Sequence, residues 1–168
     1  MNHANAKLLI NSSDIAPNAA ITNKHVFNGF GCKGENNFPQ INWSNPPTGT
    51  KSYALTVYDP DAPSGSGWWH YLAINIPVSY TSLPAEIPAQ NKFSVKDGIK
   101  QIRNDFGAYS FGGPCPPVGD KAHRYIFTVY ALKTENLDVA EGSTAALAGY
   151  MINQNSLGKA SFTGFYKR

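Results

Sequence analysis

The residues best able to do chemistry lie in two short stretches. YDPDAPSGSGWWHY, residues 58–71, crowds two aspartates, two prolines, two tryptophans and a histidine into fourteen positions of a chain only 15% charged. GGPCPPVGD, residues 112–120, runs on into a second histidine in HRY, residues 123–125. Imidazole changes charge near neutral pH, a carboxylate can fix its tautomer, and a phenol adds a hydrogen-bond donor. Such residues serve a metal ion, a hydrolytic centre or a bound ligand, and spacing separates the three. Asp59, Asp61, His70 and His123 are metal-ligating types, but DxD followed nine residues later by His matches no tight ligand spacing, and the prolines limit convergence. Ser64 or Ser66 with His70 and an aspartate would be a hydrolase set, yet no G-x-S-x-G elbow or oxyanion hole accompanies it. Gly29, Gly31 and Gly34 spell G-x-G-x-x-G, but ENNFPQINW follows, too rich in Asn and Pro to open a nucleotide-binding helix. A turn out of a strand fits it better. The remaining reading is a ligand pocket. Its rigid loops take their shape from prolines that fix φ and from glycines that admit a ligand close to backbone N–H groups. A cis bond before Pro60 or Pro63 would shape such a pocket, and a plain rigid turn is the alternative.

Strands must position these side chains. KSYALTVYD (51–59) alternates Tyr53, Leu55 and Val57 against Ala54, Thr56 and Tyr58. WWHYLAINIP and HRYIFTVYALK have the same character, and strict period two puts Trp68, His70, Leu72, Ile74 and Ile76 on one face of the first, with Trp69, Tyr71, Ala73 and Asn75 opposite. In the second, His123, Tyr125, Phe127, Val129 and Ala131 share a face. Each histidine then stands at the mouth of an apolar strand, one pleat from an aromatic. KLLI, VFNGF, PQINW, IKQIRNDF and SFTGFYK read as shorter strands or extended segments. With twelve prolines and fifteen glycines as punctuation, the pattern predicts a mostly β protein of two packed sheets. One helix is expected after Gly142, capped by Ser143 or Thr144 and facing inward with Leu147, Tyr150 and Met151. DVAEG (138–142) reads as a short helical turn.

Composition bounds the function. The 168 residues fit one domain, 1–168. A net charge of +3 from scattered basic residues is too little for a nucleic-acid footprint. No apolar run approaches the length of a membrane span, no lipidation motif or basic amphipathic helix is present, and no signal-peptide pattern opens the chain. Cys32 and Cys115 are too far apart for a CxxC site. They read either as two free thiols of a cytoplasmic protein or, preferred here, as one disulfide, whose long loop would stabilise the fold by about 4 kcal/mol in the chain-entropy model. That preference places the protein in an oxidising compartment, such as a periplasm, as a mature form, with the cytoplasm as alternative. His3 and His25 are expected to take no part in the site.

DPDAP followed by WWH and NIP, then GGPCPP and HRY, with GFG, NW at 42–43, RNDFG at 103–107 and the helical GY, resembles the phosphatidylethanolamine-binding protein family. Members are also called Raf kinase inhibitor proteins, and the likeness is strongest to the bacterial branch. The resemblance runs from about Val26 through most of the chain. It implies a β-sandwich of two antiparallel sheets with a small C-terminal helix, and a shallow pocket for phosphate, phosphorylated small molecules or phosphoethanolamine-type headgroups. Carried over, the pocket comprises Asp59, Pro60, Asp61, Trp68, His70, Gly113, Pro117, His123 and Tyr125. In that pocket the two histidines, the Tyr125 hydroxyl and backbone N–H groups of the Gly-rich loop would donate to phosphate oxygens. Asp59 would accept from a histidine ring or meet an ammonium, for which Trp68 offers a cation–π face. Phe38 before Pro39 and Cys115 in the loop depart from the family's usual pattern. The resemblance implies a non-enzymatic binding protein with no catalytic residue, metal or cofactor. It gives as alternative function an inhibitor of a protein kinase or serine protease, and a homodimer is a further expectation.

Overall fold

The computed structural model describes residues 7–168. Its frame is a five-stranded antiparallel sheet in the order β7-β6-β5-β8-β9, built from β5 (Ser52–Asp59), β6 (Trp68–Pro77), β7 (Lys100–Gln101), β8 (His123–Leu132) and β9 (Ser156–Tyr166). β1 (Leu9–Asn11) and β4 (Asn42–Ser44) form a second, short antiparallel layer, and β2 (Asn28–Gly29) with β3 (Cys32–Lys33) makes a small hairpin. The fold is mostly β, as the sequence pattern predicts. The one α-helix, α1 (Ala145–Asn155), runs directly into β9.

β5 is the middle strand and is buried on both faces, which its continuous apolar run requires. Tyr53, Leu55 and Val57 point into the larger core. There Trp43 of β4 packs on Tyr53, with ring centroids 5.4 Å apart, and Ile41, Phe38 and Phe111 close the layer. Ala54, with Leu72 and Ile74 of β6, faces the smaller core under α1.

Strict period two fails twice along β6. Val57 pairs with Tyr71 but Tyr58 with Trp69, so His70 is an extra residue, and a second irregularity between Ala73 and Ile76 contains Asn75 at φ +58°. These β-bulges put Tyr71, Ala73 and Ile76 in the large core and Leu72 and Ile74 in the small one, with Trp69 packed against the latter. Asn75 is held in its left-handed conformation by a bond from Leu137 N–H to its Oδ1, 2.8 Å. In β8 the predicted alternation holds, with Tyr125, Phe127, Val129 and Ala131 all in the large core.

The helix starts where expected, the Thr144 hydroxyl accepting from Leu147 N–H at 3.1 Å, but it turns a different face inward. Ala145, Ala148 and Ile152 are buried and Met151 packs half-buried against the same small core, whereas Leu147 and Tyr150 are 47% and 60% exposed. Small side chains let the helix approach the sheet closely, and large ones at those positions would hold it off. Residues 138–142 form no helical turn. They run extended into a turn at Glu141–Gly142.

Cys32 and Cys115 are disulfide-bonded, joining the β2–β3 hairpin to the 112–117 loop. The spelled G-x-G-x-x-G is this hairpin: Phe30 and Gly31, at φ +52° and +83°, form its two-residue turn, and no helix follows. No helix among the described residues is long and apolar enough to cross a membrane. Replacing both cysteines by serine is expected to lower the unfolding free energy by about 4 kcal/mol, read from urea denaturation. A change below about 1 kcal/mol would mean that the denatured chain is not limited by that loop.

Candidate functional site

β6 and β8 both run antiparallel to β5, so both begin at the end where β5 stops. This brings Asp59, the last residue of β5, beside Trp68 and His70 at the start of β6 and His123 and Tyr125 at the start of β8. A cleft of about 210 Å³ opens there. Its floor is made by these five side chains. Its rim is made by Phe30, Phe106, Ala62–Ser64 and Cys115–Pro117.

Each polar floor residue is fixed by identified bonds. The His70 Nδ1–H donates to the Gly112 carbonyl at 2.7 Å, so Nε2 carries a lone pair. Complete burial pushes this imidazole down to about 4, against the pull of the Gly112 carbonyl, and it is neutral at physiological pH. His123 donates from Nδ1 to Asp59 Oδ2 at 2.7 Å and from Nε2 to Asp120 Oδ2 at 2.9 Å. An imidazolium donates to both carboxylates at once. Burial opposes that charge, but the bonds to Asp59 and Asp120 outweigh it and hold the ring above its usual range. Asp59 is deeply buried, and desolvation raises its carboxyl against the opposing bond from His123, so the two groups share one proton.

Two buried donors of cleft-lining residues are unpartnered. Among the described residues three buried side-chain polar atoms lack a hydrogen bond, and two of them, Trp68 Nε1 and Tyr125 Oη, belong to cleft residues. Burial first, and the nearby Asp59 charge second, push the Tyr125 hydroxyl far up, so it stays protonated and can donate.

Three of the sequence-predicted residues do not line the cleft. Asp61 turns away to bind Arg124, accepting from its Nε at 3.0 Å, its Nη2 at 2.8 Å and its backbone N–H at 2.8 Å. The Arg124 guanidinium holds that carboxyl down to about 2. Pro60 supplies the bend between the two aspartates, and the bonds before Pro60 and Pro63 are both trans. Gly113 is a packing glycine: a Cβ there would lie 1.9 Å from the His25 carbonyl oxygen, and its N–H donates to Asn36 Oδ1 at 2.7 Å. With Gly112 N–H bound to the His70 carbonyl, neither Gly112 nor Gly113 has an N–H to offer a ligand. Of the other expectations, His25 is structural, bonded through Nδ1 to the Asn37 carbonyl, and His3 lies outside the described residues. Ser64 gives its hydroxyl hydrogen to the Gly67 carbonyl rather than to a histidine. Phe38 is core, against Tyr71 and Phe111.

Sequence reasoning missed the aromatic wall. Phe106 packs edge-on to His70 and Trp68 and stacks on Phe27 and Phe30. Asn104 places it, giving Nδ2–H bonds to the His70 and Ser110 carbonyls and accepting at Oδ1 from Phe106 and Ala108 N–H. The available signal was the Asn-Asp-x-Gly turn of NDFG, whose side chain organises its own loop. Asp120 was missed as well, although it stands three residues before His123.

This arrangement defines a β-protein with one sheet-end cleft, acidic and imidazole groups at its floor and aromatic side chains at its rim. The family model described as phosphatidylethanolamine-binding protein matches residues 11–167, and the chain belongs to that family. It is 49% identical over 162 residues to the UPF0098 protein YbcL of Escherichia coli K12, covering 96% of this chain and 88% of that one. To YbhB of the same organism it is 43% identical over 155 residues, 92% and 97% of the two chains. The crystal structure of Escherichia coli YbcL, described as a new member of the mammalian PEBP family, superposes with a TM-score of 0.92 at 48% identity, over 97% of this chain and 99% of that one.

Because the unfolded chain protonates a free imidazole near 6.5 and the folded chain protonates His70 only near 4, the unfolded state binds more protons between those values. The His70 contribution to stability is therefore lost as pH falls through that window, at about 1.4 kcal/mol per pH unit. Urea titrations from pH 7 to pH 4 should show this steeper loss in the wild type than in His70→Gln. Parallel curves would mean that His70 is not buried neutral.

Proposed function

We propose that the protein is a non-enzymatic binding protein whose cleft holds a phosphate-type group of a small molecule or headgroup. The observation that carries this reading is the pair of buried, unpartnered donors, Trp68 Nε1–H and Tyr125 Oη–H, at the floor of one cleft. A buried polar group without a partner costs about 1–3 kcal/mol, and an acceptor-only ligand such as a phosphoryl oxygen removes that cost for both. His70 joins them as a third donor once Nε2 takes a proton from solvent or from the ligand. His123, with both nitrogens engaged, supplies positive charge rather than a direct bond. The aromatic rim of Phe30 and Phe106 suits an apolar portion attached to the phosphoryl group.

A second reading, inhibition of a protein kinase or serine protease, is favoured by the exposure of Phe30 (70%) and of Val118 (76%), next to Pro117 at the rim. Anchors of this kind fit a protein partner. Competition between that partner and a phosphorylated small molecule separates the two readings. The disulfide supports an oxidising compartment, the periplasm in a bacterium.

Calorimetric titration of inorganic phosphate into Tyr125→Phe and Trp68→Phe tests the reading. Each variant should bind about tenfold more weakly or worse, while Tyr125→Phe folds as stably as the wild type or better, since it loses an unsatisfied hydroxyl. Undiminished affinity in both would remove the basis for the site. Sulfate, whose charge is constant, should bind more weakly as pH rises from 5 to 8, because His70 is neutral in the free protein and becomes a donor only by proton uptake. A flat profile would exclude His70 as a ligand donor.

A further inference from the structure

Within the hydrogen-bonded set of Asp59, His123 and Asp120 the charges do not balance, although Lys121 and Arg124 lie beside it. Asp61 is neutralised by Arg124, Arg168 reaches the rim through the Pro116 carbonyl, and Tyr166 stands opposite His123 across the β8–β9 pair. His70 on β6 is neutral and Tyr125 keeps its proton. Asp59, His123 and Asp120 then hold two negative charges against one positive. The two carboxylates are not equivalent. Asp59 is buried and joins β5 to β8, also accepting from Asp61 N–H at 2.8 Å. Asp120 sits after the Val118–Gly119 turn with its side chain 36% exposed, and among the described residues His123 is its sole ion-pair partner. The fold does not need Asp120 as it needs Asp59, yet Asp120 adds one negative charge beside an anion site.

We propose that Asp120 is a specificity-determining residue, whose carboxylate on His123 Nε2 biases the cleft toward singly charged phosphoryl groups and against fully ionised dianions. This rests on the anion-binding reading above and narrows it to a ligand class. The bias does not depend on where the shared proton sits. With Asp120 uncharged and the shared proton retained by its bond to Asp59, the Asp59–His123 pair is neutral either as an ion pair or as two neutral groups, so one negative charge disappears from the site in both cases. A dianion feels that charge twice as strongly as a monoanion at the same distance. The His70 lone pair acts in the same direction, since it repels a ligand that brings no proton. Singly protonated phosphomonoesters meet both conditions, and phosphodiesters, singly charged but without a proton to give, meet the first.

Sulfate and dimethyl phosphate keep charges of −2 and −1 across neutral pH, and titrating both by calorimetry into wild type and Asp120→Asn at low salt tests the proposal. Asparagine keeps the size of the side chain and an oxygen acceptor for Nε2–H, and Asp120→Ser serves as a second variant. Asp120→Asn should tighten sulfate about threefold to tenfold and dimethyl phosphate by about the square root of that factor, so selectivity shifts toward the dianion. An equal change for both ligands, or weaker binding of both, would show that Asp120 only orders its loop and would overturn the proposal while leaving anion binding intact. Failure of every protein to bind either anion would overturn the anion-binding reading and this inference together.

Discussion

The hydrogen bond from His123 Nδ1 to Asp59 Oδ2, 2.7 Å long and buried, is the contact on which the site depends. It ties the last residue of the central strand to the first residue of the neighbouring one. From Asp59 the chain turns through Pro60, with Asp61 N–H returning to Asp59 Oδ1, and that turn delivers Asp61 to the backbone and guanidinium of Arg124. One carboxylate thus fixes the imidazole, the loop that follows it and the next ion pair. DPD and HRY are the two halves of this clamp. A charge buried this deeply is tolerated because every lone pair that matters has a partner.

The rest of the cleft is built by the same economy. The His70 bulge turns an imidazole inward beside Tyr71 without breaking the strand, and the 104–113 segment is fastened to it by Asn104 Nδ2–H and Gly112 N–H on the His70 carbonyl. Phe106 arrives on that segment, and Cys115 is bound to the Phe30 hairpin. The floor is rigid and largely satisfied. Against that background the two unsatisfied donors, Trp68 Nε1 and Tyr125 Oη, stand out as the places where a ligand changes the energy.

Much of this was legible in the sequence, and the misses have physical causes. Strands 68–77 and 123–132 were visible because their apolar runs are long and bounded by proline and glycine. The faces of β6 were not, since an extra residue at His70 and another near Asn75 leave no trace in a period-two count. The helix was placed by its Thr144 cap, but its inward face was assigned from the i, i+3, i+4 spacing of Leu147, Tyr150 and Met151, of which Met151 alone packs inward, whereas Ala145 and Ala148 face inward because close packing favours the small side. Asp61 and Gly113 belong to the motif but serve its frame: a carboxylate beside Arg124 and a glycine against the His25 carbonyl look like site residues until their partners are known. Phe30, Phe106 and Asp120 come from loops whose convergence depends on a disulfide, an Asn-centred turn and a three-residue reach, none of which periodicity reports.

The most direct measurement is a two-dimensional 15N–1H NMR titration of the tryptophan indoles with inorganic phosphate. Trp43 already donates its Nε1–H to the Tyr80 carbonyl and Trp69 lies away from the floor, so both act as internal references. If an anion oxygen fills the cleft, the Trp68 indole proton moves downfield and saturates while the other two stay in place. If Trp68 does not move at tens of millimolar phosphate, or if all three move together without saturation, the cleft does not hold an anion through its unpartnered donors and the account is wrong at its centre.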